Sequence, residues 1–303
     1  MNLNRELNRM KNYSTYLLRY GCLTLVLVLL ASCKNEKLIK RGDTLPTAYK
    51  KSMRLFQSED YRDAAEAFET VIQLGRGTDY AKEAQYYLAE SYFRDGRYLL
   101  ASSEYSRYAA LYPKADKREE AQFKEAYSFY KLSPRYKLDQ NHTRTAIEKF
   151  RLYNSRYPNS ERREQVAKYI TELRSKLAKK LYYAADLYMR TDSYEAAITY
   201  YDLTTNQYPE SIWAQRALMD KINAYVVYAD RSVPSKQRER YQGAIDAYET
   251  FVQLFPNGKY RSQAEAYVDD ARTGIADIGE VKSKDSQAST NSVKPENSDL
   301  QTN

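Results

Sequence analysis

Small and aromatic side chains recur along this chain at the spacing of one helical face. Five segments carry an alanine three residues after a tyrosine or threonine and four residues before an aromatic residue: 61–68, 98–105, 143–150, 194–201 and 241–248. Steps of three and four residues place side chains on the same side of a helix. In four segments a proline stands twelve residues after the alanine. The pattern predicts five helices that approach a neighbour closely at alanine, four of them ended by a proline.

A second apolar pattern precedes these helices and predicts a partner helix for each. In the second and fourth units it consists of Leu88, Ala89 and Tyr92, and of Ala184, Ala185 and Tyr188. The paired pattern resembles the tetratricopeptide repeat, a helix-turn-helix unit closed by a proline. The resemblance implies an all-α fold, a right-handed α-solenoid of five tetratricopeptide repeats. A further helix would cover the last repeat as a C-terminal capping helix, through Ala264, Tyr267, Val268 and Ala271.

The distances between successive repeat alanines are 37, 45, 51 and 47 residues, against about 34 for the plain repeat. Extra residues at 132–142 and 231–238 each include a proline, which predicts loops between helices. The segment 161–190 contains neither glycine nor proline and keeps its apolar residues in phase. It therefore predicts one continuous helix that joins the third repeat to the fourth.

The first 32 residues have the pattern of a processing signal. A basic start precedes a largely apolar run of 11 residues at 21–31, which is too short to span a bilayer as a helix. The run ends in Leu30, Ala31, Ser32 and Cys33, which resemble the bacterial lipobox. We therefore predict a lipoprotein signal peptide at 1–32, lipidation of Cys33, and a polar tether at 33–43.

Composition narrows the possible functions. With one histidine, two cysteines and nine glycines, the chain lacks a zinc-ligand pattern, a histidine-activated nucleophile motif and a phosphate-binding glycine loop. We therefore expect no enzymatic activity, no catalytic residue, no metal and no cofactor. The net charge of +8 favours an acidic partner or anionic lipid headgroups over nucleic acid, because a secreted lipoprotein rarely meets nucleic acid.

The predicted organisation follows from these segments. Residues 44–159 hold repeats 1–3, and residues 160–278 hold repeats 4–5 and the capping helix. Residues 279–303 are rich in Ser, Lys, Asn, Gln and Asp and contain no aromatic residue, which predicts a disordered polar tail.

The order of these parts resembles the BamD family, the lipoproteins of the outer-membrane β-barrel assembly machinery. The resemblance is carried by the lipobox, the five repeats, the long helix, Asp139 and Gln140 in the insertion, and the run at 157–160. It implies a scaffold without catalysis, anchored by lipid to the outer membrane and facing the periplasm. The implied partners are the periplasmic domains of the BamA-type insertase and unfolded outer-membrane barrel proteins, with no nucleic acid.

The first helix of each tetratricopeptide repeat lines a concave groove, which places candidate substrate contacts near the N-terminal repeats. Aromatic faces and cations there would suit an extended peptide with an aromatic side chain and a carboxylate. The candidates are Lys50, Tyr86, Tyr87, Arg94, Lys124 and Tyr127. Aromatic residues at helical spacing are also typical of a packed core, so the three cations are the better candidates.

Two other functions fit parts of the pattern. A tetratricopeptide lipoprotein that coordinates peptidoglycan or polysaccharide processes would use groove tyrosines as sugar platforms. An envelope hydrolase would need a catalytic carboxylate in an apolar pocket, and no sequence motif indicates one.

Overall fold

The computed structural model describes the backbone of residues 39–291 and the side chains of residues 39–280. Within this range the chain forms helices and no β-strand. The helices are α1 (Leu45–Gln57), α2 (Tyr61–Leu74), α3 (Asp79–Arg94), α4 (Tyr98–Leu111), α5 (Arg118–Leu132), α6 (Asn141–Arg156), α7 (Arg163–Arg190), α8 (Tyr194–Gln207), α9 (Ile212–Asp230), α10 (Pro234–Leu254) and α11 (Arg261–Asn291). The predicted all-α class and helix-pair repeats are confirmed.

The repeat alanines occupy the closest points of the core, as the pattern predicts. Each has no exposed surface: Ala64, Ala101, Ala146, Ala197 and Ala244. A side chain with one methyl group lets two helices approach closely, and the aromatic residue one turn later fills the adjoining space. The four helices that precede a predicted proline stop end two residues before it, because the residue before a proline is disfavoured in the helical region.

The described chain divides into two compact units between Ser91 and Tyr92. In the first unit, α1 packs against α2, and rings from α1, α2 and α3 meet around Phe68. In the second unit, each helix from α4 to α11 packs against the next, and α9 also contacts α7 and α11. Contact with both the next helix and the next but one is the packing expected of stacked helix pairs. The predicted boundary at 159/160 lies inside this second unit.

A left-handed residue makes the turn between the two helices of repeats 1, 2 and 4. Glu59, Gly96 and Asp192 have φ of 65°, 76° and 55°. The next backbone N–H in each case donates to the carbonyl five residues earlier, over 2.9 to 3.0 Å. This hydrogen bond satisfies a helix-end carbonyl, as in the Schellman motif. Repeat 3 replaces the turn with residues 133–140, whereas the three-residue turn of repeat 5, at 231–233, has no left-handed residue.

The long helix and one insertion follow the prediction closely, and the second insertion does not. Helix α7 runs from Arg163 to Arg190, and residues 133–140 form the non-helical insertion of repeat 3. In repeat 5 only residues 231–233 are non-helical. The rest of that predicted loop extends α10, because Pro234 stands at the first helical position, where proline is tolerated.

Helix α11 covers the last repeat, as predicted, with Ala264, Val268 and Ala271 fully buried. It then continues to Asn291, so residues 279–291 are helical where composition predicts a disordered tail. An established helix adds residues at little cost, and the segment offers no proline before position 295. The predicted signal peptide, Cys33 and residues 292–303 lie outside the described residues.

Candidate functional site

Three of the six candidate substrate contacts lie in the first unit, and only one of them is exposed. Lys50 is exposed on α1, whereas Tyr86 retains 5% of its surface. Tyr87 is half-buried and stacks on Phe68 with ring centroids 5.7 Å apart, and it also meets Phe56 at 5.2 Å. The two tyrosines therefore help to build the core of this unit.

The other three candidates belong to the second unit, where Tyr127 is the centre of a continuous aromatic stack. Its ring lies parallel to Phe123 at 5.8 Å and to Tyr130 at 5.5 Å, and it meets Phe93 at 5.9 Å. The Lys124 ammonium lies 5.1 Å from the centre of the Phe93 ring, a cation–π distance. Arg94 is exposed at the end of α3.

The aromatic stack extends to the long helix through Tyr130 and Tyr169, whose centroids are 4.7 Å apart. The Tyr130 hydroxyl donates a hydrogen bond of 2.8 Å to Glu172 on α7. Burial, and then this hydrogen bond to a carboxylate, raise the pKa of Tyr130, so its phenol stays neutral at physiological pH. The stack presents aromatic rings and the hydrogen-bonded pair of Tyr130 and Glu172. Such a surface suits packing against a peptide better than it suits acid–base catalysis. The substrate role of all six candidates stays a prediction.

A second feature of this unit is a cavity of about 710 Å³ beside the repeat 3 insertion. Its lining residues come from the insertion, from α7 and from the start of α9: Arg135, Tyr136, Lys137, Leu138, Glu172, Ser175, Lys176, Lys179 and Trp213. We call it the insertion pocket. It combines cations, rings and one carboxylate on three separate elements.

The buried side chain of Gln140 fixes the conformation of the insertion through hydrogen bonds. That side chain is 1% exposed, and its amide donates to the carbonyls of Arg135 and Leu138 over 2.9 and 3.0 Å. Its oxygen accepts from the Thr143 hydroxyl at 2.7 Å. The Lys180 ammonium adds a bond of 2.7 Å to the Leu138 carbonyl. The insertion is therefore a fastened loop, so the side chains that it presents to the pocket are preorganised.

Lys179 lies among three aromatic rings, two from the insertion pocket and a third, Tyr183, beside it. Its ammonium is 4.7 Å from the Tyr136 centroid, 5.3 Å from Trp213 and 5.8 Å from Tyr183. The rings contact one another as well, with Tyr136 and Tyr183 at 5.1 Å and Tyr183 and Trp213 at 5.6 Å. Ring faces attract a cation electrostatically at these distances, so the three rings hold the Lys179 ammonium in position.

Sequence reasoning did not select these pocket residues. The available signal was the spacing of Lys176, Lys179 and Lys180, which places three cations on one face of α7. That spacing alone is also typical of a solvated helix face. The deciding information is the position of the insertion, which no local pattern supplies.

Two negative findings apply to the part of the chain that the structure covers. Among the described residues, no group of three or more His, Cys, Asp or Glu side chains is placed to hold a metal ion. No helix there is both long and apolar enough to cross a bilayer.

Comparison with protein families decides the relationship. Residues 43–240 match the family model YfiO, described as an outer membrane lipoprotein. The chain belongs to this family. The match covers most of the repeat region and confirms the BamD-type resemblance. The family relationship supports an outer-membrane lipoprotein of the barrel-assembly type in general.

Comparison with individual proteins adds less. No curated protein sequence matches the chain. The TPR2AB-domain:pHSP90 complex of yeast Sti1 is similar at 12% identity and a TM-score of 0.35, covering 75% of this chain and 98% of that one. The TPR domain of P58(IPK) is similar at 14% identity and a TM-score of 0.37, covering 80% and 66%. These scores carry no argument about function, and the repeat assignment rests on the chain's own helix pairs.

Proposed function

We propose that this protein is a non-enzymatic scaffold of the β-barrel assembly machinery, held at the periplasmic face of the outer membrane by lipid on Cys33. The observation that carries the proposal is the family match over residues 43–240. The lipobox at residues 30–33 agrees with it, because it supplies the anchor that a chain of this family would use.

The proposed partners are the periplasmic domains of a BamA-type insertase and unfolded outer-membrane barrel proteins. Stacked helix pairs present a long surface whose side chains can vary while the core is kept, which suits protein binding. Exposed cations such as Lys50 and Arg94 and the partly exposed ring of Tyr127 would serve the barrel substrates, through charge and ring packing.

Co-purification tests the insertase partner. The lipidated full-length protein, tagged at its C-terminus, is extracted from membranes in mild detergent, and the captured proteins are identified by mass spectrometry. We expect a BamA homologue in near-stoichiometric amount, and we expect its loss when extraction uses a denaturing detergent. Repeated capture without a BamA homologue, from cells that contain one, contradicts the proposal.

A further inference from the structure

The insertion pocket carries more positive charge than its own residues neutralise. It contains four cations and one carboxylate, Glu172. Within residues 39–280 none of the four makes an ion pair: Arg135, Lys137, Lys176 and Lys179. By contrast, Lys149 and Lys221 in the same unit each contact a carboxylate oxygen within 2.6 Å. The pocket therefore carries a local excess of positive charge, which Glu172 offsets only in part through its attraction for Lys176.

Two of these cations, Lys176 and Lys179, are partly removed from water, which strengthens their attraction for an incoming anion. Lys176 is half-buried, and its ammonium donates to the Ser133 hydroxyl at 2.8 Å. Burial lowers the pKa of Lys176, because removing water disfavours its charged form. Lys179 is held among rings. Burial removes part of the water that stabilises an ammonium group. A carboxylate beside these lysines would replace that stabilisation, and the lower local dielectric constant would strengthen the attraction.

The walls of the pocket restrict what kind of anion fits. Tyr136, Leu138 and Trp213 provide an apolar surface, and Leu138 is 55% exposed. A free phosphate would use the cations and leave this surface in water. The exposed carboxylate of Glu172 in the lining would repel a uniformly anionic polymer. A peptide with carboxylates next to apolar side chains uses both surfaces and tolerates the single acid.

We propose that the insertion pocket binds an extended acidic peptide segment of a partner protein, in which an Asp or Glu side chain lies among Arg135, Lys176 and Lys179. An adjacent apolar side chain of that segment packs on Tyr136, Leu138 and Trp213. The fastened insertion lowers the entropic cost of binding, since the loop is already in place. The inference does not depend on the proposed assembly role, because it concerns binding to the purified protein.

The test uses Trp213, the only tryptophan of the chain, as an internal reporter. The full-length protein in detergent is titrated with a blocked hexapeptide that alternates Glu and Leu, and with a twin in which Gln replaces Glu. We expect a saturable change in Trp213 fluorescence with the acidic peptide, affinity about tenfold weaker for the twin, and weakening of the acidic complex as salt rises.

Single-residue variants distinguish binding in the pocket from nonspecific attraction to the positively charged protein. Lys179→Gln and Arg135→Gln should each weaken binding of the acidic peptide several-fold. Binding is read by fluorescence polarisation of a labelled peptide, so that the signal does not depend on Trp213. The matched control is Lys259→Gln, because the Lys259 ammonium also lies over an aromatic ring, 4.8 Å from the Tyr260 centroid, but outside the pocket. Circular dichroism verifies that each variant is folded.

Three outcomes overturn the inference. The first is equal binding of the Glu and Gln peptides, and the second is equal loss of affinity in Lys179→Gln and Lys259→Gln. The third is displacement of the peptide by inorganic phosphate or by vesicles of anionic lipid at similar charge concentration, which would assign the pocket to phosphate or headgroups. Selective binding of the acidic peptide that weakens in the pocket variants alone supports it.

Discussion

At the scale of single residues, Glu119 connects the start of α5 to the end of the third repeat. One of its oxygens accepts hydrogen bonds from the Tyr153 hydroxyl at 2.7 Å and from the Ser160 hydroxyl at 2.6 Å. These bonds, first that from Ser160 and then that from Tyr153, hold the pKa of Glu119 below its ordinary value of 4.5. A lowered carboxyl pKa means that the folded state favours the ionised form.

We predict that Glu119→Gln lowers the free energy of unfolding by about 1–2 kcal/mol at pH 7, because it removes the charge-assisted part of two hydrogen bonds. The contribution of Glu119 is complete above its ordinary pKa and is lost as pH falls through the lowered folded-state value. The difference between wild type and variant should therefore shrink at about pH 3. Urea unfolding at both pH values measures it.

Glu120→Gln is the matched control, because it removes the same charge one residue further along α5. We expect a change within about 0.5 kcal/mol at either pH, the size usual for surface positions. Equal effects of the two substitutions would refute the hydrogen-bond explanation in favour of a general charge effect.

Sequence predicts residues well where their role is set by local spacing. The burial of the repeat alanines is predicted correctly because helical periodicity determines which face is buried. Periodicity does not distinguish a buried Tyr86 from an exposed one, because aromatic residues that contact a ligand and those that fill the core have the same spacing. Nor could spacing identify Lys179 and Trp213 as neighbours, since they meet only when α7 and α9 pack together.

At the scale of elements, two glycines of α11 differ in what surrounds them. A methyl group added at Gly274 would overlap the ring of Tyr241, which is buried and whose hydroxyl donates to Asp230. A methyl group at Gly279 would have its nearest neighbour, the end of the Arg238 side chain, at 4.0 Å. Both positions are helical, so intrinsic helix propensity favours alanine at each.

We predict opposite effects of the two glycine-to-alanine substitutions. Gly274→Ala should destabilise the protein by about 1–3 kcal/mol, because overpacking displaces Tyr241. Gly279→Ala should stabilise it by up to about 1 kcal/mol through helix propensity alone. Thermal unfolding followed by circular dichroism compares them. Stabilisation by Gly274→Ala would show that α11 does not pack against Tyr241.

Element boundaries were predictable wherever a strong local signal ends the helix. Proline stops placed the ends of four helices, and the absence of glycine and proline at 161–190 predicted α7. Composition wrongly predicts disorder at 279–291, and the proline at 231–238 wrongly predicts a loop where most residues are helical. The two errors have related causes. Helix extension depends on the preceding turns rather than on polarity, and Pro234 occupies the one helical position that accepts it.

At the scale of the whole molecule, the family assignment and the helix pairs support a binding function. The repeats bury their alanines and many of their aromatic rings between helices. Charged residues and scattered apolar residues remain at the surface. The net charge of +8 falls to about +5 when residues 1–32, with four basic residues and one acid, are removed. This positive charge would attract acidic partners over a distance of about a Debye length. The central claim is that this surface serves the assembly of outer-membrane barrel proteins.

Depletion of the protein in its own cells tests that claim most directly. The measurement is the amount of folded barrel protein in the outer membrane, read from the faster migration of unheated, folded barrels on gels and normalised to an unrelated outer-membrane lipoprotein. We predict that folded barrels fall as the protein is depleted and recover when it is expressed again. Undiminished folded barrels after complete depletion would contradict the account.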